Sequence, residues 1–176
     1  MEANTKEYEM LRQEITQYLK EYQNVRNMMY IITVTLLGFC LKEKITIVYI
    51  YLLPLIVIIP SYLVYIDYYN AIVRDAAYLI VFYESNDSFP IKWESRLRKY
   101  AKIVKSKGSY RKFPYVVCFL VSLILYLFKS KSNVFNILLG ILIFVVCICV
   151  FLTNKEMKYN KAIEKWQEVK KIEDKL

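Results

Sequence analysis

Four stretches of the chain, residues 28–41, 45–66, 113–128 and 134–152, carry no formal charge and are almost wholly apolar. A helix crossing the hydrocarbon of a bilayer needs ~20 such residues at 1.5 Å each. The second and fourth stretches meet that length. The fourteen residues of the first reach only ~21 Å against ~30 Å of hydrocarbon, and the third is also short. The hydrophobic fraction of 57% exceeds the ~45–50% of soluble domains, and the excess lies in these blocks. At 176 residues the chain has room for one compact unit.

The polar segments between the blocks keep a helical period. Tyr8, Leu11, Ile15, Tyr18, Tyr22 and Val25 recur at spacings of three and four, and Met29 and Ile32 carry the stripe into the first block with no Gly or Pro between. This predicts one unbroken helix from about Thr5 to Leu41. Lys42, Glu43 and Lys44 are too few to do other than reverse the chain. Pro54 and Pro60 fall in the second block and are expected to interrupt and kink its helix. The stripe then continues through Tyr62, Ile66, Tyr69, Val73, Ala76, Ile80 and Tyr83, so the second helix also leaves the membrane. It is expected to end in the turn formers Ser85, Asn86, Asp87 and Ser88. Trp93, Leu97, Tyr100 and Val104 define a third amphipathic helix that opens near Pro90 and closes at Gly108. After the fourth block, Tyr159, Ala162, Ile163, Trp166 and Val169 make a last apolar face.

The expected fold is therefore an all-α membrane protein, with four transmembrane helices in two hairpins and helical extensions (4–27, 67–112 and 153–176) forming a cytoplasmic bundle. Charge sets the orientation. With both termini and the central segment inside, that side holds twenty-one Lys and Arg residues and the two outer turns hold four, a strong positive-inside bias. The protein is expected in the inner membrane, multi-pass, with both termini cytoplasmic. Glu2, Glu7, Glu9, Glu14 and Glu21 precede the first block in place of a basic leader, so that block reads as a retained anchor.

Nothing in the sequence assembles a catalytic centre. Histidine is absent, glycine occurs only at Gly38, Gly108 and Gly140, and no phosphate-binding loop or dinucleotide fingerprint is present. Asp67, Asp75, Glu84, Asp87 and Glu94 form no pair by spacing. Cys40, Cys118, Cys147 and Cys149 lie inside apolar blocks and read as small core residues. The expectation is a protein that is not an enzyme, with no metal and no cofactor.

The residues that stand out lie at the central turn: Arg74, Tyr78, Glu84, Trp93, Glu94, Arg96 and Arg98. Arg74 and Tyr78 share a helix face, and a reversal through 85–90 brings Glu84 towards Trp93, so carboxylates and arginines can pair across it. They either staple the turn and set helix register, or present Trp and Arg as a contact surface for a trigger or a partner protein. From Arg96 to Lys112 there are eight basic residues and no acid. Lys102, Lys105, Lys107, Arg111 and Lys112 are expected to face anionic lipid, where each gains ~1 kcal/mol. A nucleotide or RNA is a second candidate partner for such a run.

Arg74 with Ala77 and Tyr78, then Phe82, Tyr83 and Glu84, then Trp93 and Glu94 with Arg96, is a pattern that resembles small bacterial four-span membrane proteins similar to the membrane effectors of anti-phage defence systems. The resemblance covers about 25 residues. It implies a protein that oligomerises and perturbs or permeabilises the inner membrane when a cytoplasmic sensor signals. The short first span adds physical support, because it thins the bilayer locally unless Arg26 and Lys42 snorkel. A non-enzymatic anchor or scaffold that docks a soluble cytoplasmic partner is the alternative.

Overall fold

The computed structural model describes residues 2–42, 47–86, 91–103, 111–130, 134–153 and 156–175, and these are helical apart from a few residues at the ends of the elements, with no strand among the described residues. Helix α1 spans Glu2–Lys42; a 3-10 turn, Val48–Leu52, precedes α2, Leu55–Tyr78, which widens into a π-helix, Leu79–Glu84. Then come α3, Trp93–Ile103, α4, Phe113–Lys129, α5, Val134–Thr153, and α6, Tyr159–Glu173. Three helical stretches are long and apolar enough to cross a membrane: α1, the run Val48–Glu84, and α5. The apolar α4 is shorter, at 17 residues.

The contacts divide the chain into two compact units. The first comprises Met1–Tyr22, Asp67–Lys107 and Glu156–Leu176, the polar, periodic segments. At its centre is the stretch from Val73 to Glu84, buried on several sides at once: Val73, Asp75, Ala76, Ala77, Leu79, Val81, Tyr83 and Glu84 are all inaccessible. A helix buried on several sides is mostly apolar, and in this one Arg74 marks the side left to solvent. One side of it packs Ala76, Leu79 and Tyr83 against Tyr8 and Ile15 of α1. The other packs Val73, Ala77 and Val81 against Ala162 and Ile163 of α6. Polar bonds hold α6 in place: Met157 N donates to Asn70 Oδ1 at 2.7 Å, Trp166 Nε1 to the Arg74 carbonyl at 3.0 Å, and Lys170 Nζ to the Val81 carbonyl at 3.2 Å.

The second unit comprises Gln23–Ile66 and Gly108–Lys155. Helix α4 buries Tyr115, Cys118, Phe119, Ser122, Leu123 and Tyr126, one face at helical spacing. It meets α5 closely at Gly140, where an added Cβ would come within 2.8 Å of Leu127 Cδ2 and 3.3 Å of Tyr126 Cε1. Asn136, buried in α5, accepts at Oδ1 from the Tyr49 hydroxyl and at its carbonyl from the Tyr126 hydroxyl, both at 3.1 Å. The first bond gives the side-chain oxygen a partner in apolar surroundings that would otherwise penalise it. Tyr62 stacks its edge on Tyr115 and lies 4.3 Å, centroid to centroid, from Phe151.

Two local expectations are corrected and one is refined. Pro54 does interrupt the helical run of the second block: it stands between the 3-10 turn and α2, and its carbonyl accepts from Val57 N and Ile58 N. A residue without an N–H is best placed where no helical donor is needed. Only Pro60 lies inside α2. In α1 the buried line does not continue from Met29 to Ile32, which is exposed, but through Thr33, Leu37 and Cys40. Cys149 is exposed, unlike the other three cysteines. The proposed ends of α3 at Pro90 and Gly108, and with them Val104, lie outside the described residues.

Candidate functional site

The site forms where α2 widens. Ser85 N donates to the Ile80 carbonyl at 2.9 Å, five residues back, which is the π-helical bond. Such widened turns are costly and recur at functional positions. Here the extra residue leaves both Tyr83 and Glu84 turned inward.

Glu84 is buried, and its carboxylate meets the amino end of α3. Oε1 accepts from Glu94 N and Oε2 from Ser95 N, both at 2.7 Å. These are donors that a first helical turn cannot satisfy from within, and a negative charge at this end also complements the helix dipole. Glu84 thus caps α3 from another helix. Oε1 accepts a third bond, from the Tyr8 hydroxyl of α1 at 3.0 Å.

Glu94 is the second buried carboxylate. It pairs with Arg12 of α1, and the Arg12 guanidinium also lies over the Trp93 ring, 5.6 Å from its centroid. Burial pushes the Glu94 carboxyl above its ordinary value; Arg12 opposes this, and the neighbouring Glu84 reinforces it. The Tyr8 phenol is also pushed up, by burial first and then by the charge of Glu84. Two carboxylates, one guanidinium and one phenol therefore join α1, the π-helix and α3. Both Glu84 oxygens are occupied by backbone donors and Glu94 is held by Arg12, so the arrangement fixes helices to one another.

The remaining singled-out residues have separate places. Tyr78 donates to Glu7 Oε1 at 3.2 Å and stacks on Phe82, with Trp166 against its edge. Arg74 is half-exposed and pairs with its neighbour Asp75 at 2.8 Å. Together with Glu7, Glu14 and Trp166, these residues line a groove of about 760 Å³. Arg98 bonds Asn160 Oδ1 and lies 5.3 Å from the Tyr159 ring centroid, tying α3 to α6. Trp93 and Arg96 are exposed. Of the basic run, Arg111 is exposed and Lys112 Nζ lies 5.9 Å from the Tyr62 ring centroid. Lys102 belongs to α3, but its side chain, like Lys105 and Lys107, lies outside the described residues.

The structure brings together Glu84, Trp93 and Glu94, and adds two residues that the turn pattern did not point to, Tyr8 and Arg12. Tyr8 belongs to the apolar stripe of α1, and Arg12 follows four residues later on the same flank. That i, i+4 relation is the sequence signal available for them. No protein-family model, curated protein or solved structure matches the chain.

Proposed function

We propose that the chain is an integral inner-membrane protein of four spans, arranged as two hairpins with both termini cytoplasmic. In this reading it is an effector that oligomerises and permeabilises the membrane on a cytoplasmic signal, with anti-phage defence as its setting. The observation that carries the reading is how little of the apolar surface the chain covers for itself. In the most apolar stretches of α1, Val48–Glu84 and α5, only 22%, 39% and 17% of residues are buried. Lipid or further copies must cover the rest, and spans associate in hydrocarbon through close packing and interhelical hydrogen bonds. The polar network of Tyr8, Arg12, Glu84 and Glu94 supports the second half of the reading, since it couples three helices through groups that respond to charge.

The test is dye release from liposomes holding the full chain, together with its mass in nanodiscs. A multimer that leaks when its cytoplasmic partner is active is the expected result. A monomer in tightly sealed membranes under the same activation overturns the reading.

The groove lined by Glu7, Glu14, Arg74, Asp75, Tyr78 and Trp166 favours a second reading, an anchor that docks a soluble partner. It predicts that Arg74→Ala or Trp166→Ala abolishes pull-down of that partner while membrane permeability stays as it was.

A further inference from the structure

The groove of about 760 Å³ lies wholly within the first compact unit. Three helices wall it: Glu7 and Glu14 come from α1, Arg74, Asp75 and Tyr78 from α2, and Trp166 from α6. Three carboxylates therefore line it against one guanidinium, in a chain whose net charge is +9. Asp75 is the incomplete member. Its side chain is 9% exposed, and Oδ1 accepts from Arg74 Nε at 2.8 Å. Oδ2, also buried, has no hydrogen-bond partner among the described residues. A buried carboxylate oxygen without a donor is costly, and the missing donor is one that an occupant of the groove can bring. Neighbours in a helix do not face each other, so Arg74 has to fold back to reach Asp75. The spot thus already holds a guanidinium, supplied by a half-exposed side chain.

The rest of the groove matches the body of such a cation. Glu7 and Glu14 stand seven residues apart on α1, about 10 Å along its axis. Each accepts from a phenol, Tyr78 and Tyr18 respectively, which leaves its charge in place. Tyr78 and Trp166 meet edge to face at 5.1 Å, and the indole is fixed by its bond to the Arg74 carbonyl at 3.0 Å. Aromatic rings attract ammonium groups and also cover methylene chains.

We propose that this groove binds a linear aliphatic polyamine. One ammonium group reaches Asp75 in place of Arg74, a second pairs with Glu7 or Glu14, and the methylene stem lies over Tyr78 and Trp166. The volume falls within the ~300–1,000 Å³ of small-molecule sites. Charge selects a cation, and the separation of the carboxylates selects one whose charges are spread along a chain. A metal ion is the poorer occupant, because no acidic groups converge on a metal-sized point among the described residues. A bound polyamine bridges α1, α2 and α6. A protein docked in the same groove competes with it.

The test uses the full chain with Trp93→Phe, which leaves Trp166 as the single tryptophan, in phosphatidylcholine nanodiscs at fixed ionic strength. Spermidine is expected to change Trp166 emission saturably. Asp75→Asn, equal in shape and uncharged, is expected to weaken binding roughly tenfold. Glu7→Gln, at an exposed position, is expected to weaken it about threefold and serves if Asp75→Asn does not fold. Arg74→Gln removes the internal competitor and is expected to tighten binding about threefold, whereas the docking reading expects loss there. The proposal is overturned if spermidine gives no saturable change, or if Asp75→Asn and Glu7→Gln bind it as the parent does. Weaker binding by Arg74→Gln also overturns it, since the groove then takes an anion. So does an equal response to magnesium, which reports diffuse charge only, or saturation by tetralysine and not by spermidine, since the occupant is then a peptide. No readout depends on leakage or on a partner protein, so this proposal and the effector reading fail separately.

Discussion

Glu84 accepts three hydrogen bonds in a site closed to water, two from backbone N–H groups at the start of α3 and one from Tyr8. Glu84→Ala strands the two backbone donors and removes the Tyr8 bond. An unsatisfied buried donor costs ~1–3 kcal/mol, and losses at one shared site are not additive. The expected destabilisation is about 3 kcal/mol, read as lost hydrogen-exchange protection at the α3 amides, and unchanged protection there would refute the cap. Glu94 supplies a pH dependence. Because burial raises its carboxyl pKa in the folded protein above the ordinary 4.5, despite Arg12, the native state holds this proton more tightly than the unfolded chain. Stability from this group is therefore greatest at low pH and falls as pH rises from about 4.5 through the native value. Glu94→Gln should remove that slope, so the melting temperature of the parent protein should fall relative to that of the variant as pH rises from about 4.5; parallel curves, or a difference of the opposite sign, would exclude the effect. Glu84, Trp93 and Glu94 were legible in the sequence because charged and aromatic residues bracket a turn. Tyr8 and Arg12 were not, since they lie 76 and 82 positions from their partners and no local period reports a contact that distant.

Among the elements, α1 is the one its pattern describes best. The stripe of Tyr8 to Val25 predicts a continuous helix, and α1 runs unbroken from Glu2 to Lys42. The shift of the buried line from Ile32 to Thr33 follows from helix geometry. A straight helix drifts ~20° per heptad against a 3.5-residue stripe, so the inward position advances by about one residue over several heptads. The π-helix had no signature, because an inserted residue changes the phase of an apolar run without changing its composition. Gly140 shows what composition also hides, a close approach. Leu127 can move its Cδ2 from an added methyl, but Tyr126 is fixed by its bond to the Asn136 carbonyl. Gly140→Val is expected to cost roughly 2 kcal/mol by overpacking and to lower the melting temperature in detergent. Gly38→Val, where an added Cβ meets nothing within 4 Å, serves as its control. Equal melting temperatures for the two variants would show that α4 and α5 do not need the glycine.

For the molecule as a whole, the sequence distinguishes apolar from polar segments well and apolar faces from one another poorly. Lipid-facing and protein-facing side chains are both Leu, Ile, Val and Phe, and so α5 reads as a span while its partners cannot be read. For α3 the same ambiguity ran the other way, since Leu97 and Tyr100 are exposed and an outward apolar strip has the same spacing as an inward one. Charge is less ambiguous, because Lys and Arg are costly to translocate whatever the helices do. The asymmetry of twenty-one basic residues against four therefore carries a prediction that does not depend on packing. In a protein with Cys40, Cys118, Cys147 and Cys149 replaced by Ala, single cysteines at Glu43 and Ser132 should react with a membrane-impermeant maleimide on intact cells. Cysteines at Asn4, Lys99 and Lys175 should react only after the membrane is opened. If Lys99 or either terminus labels from outside, the four-span topology fails.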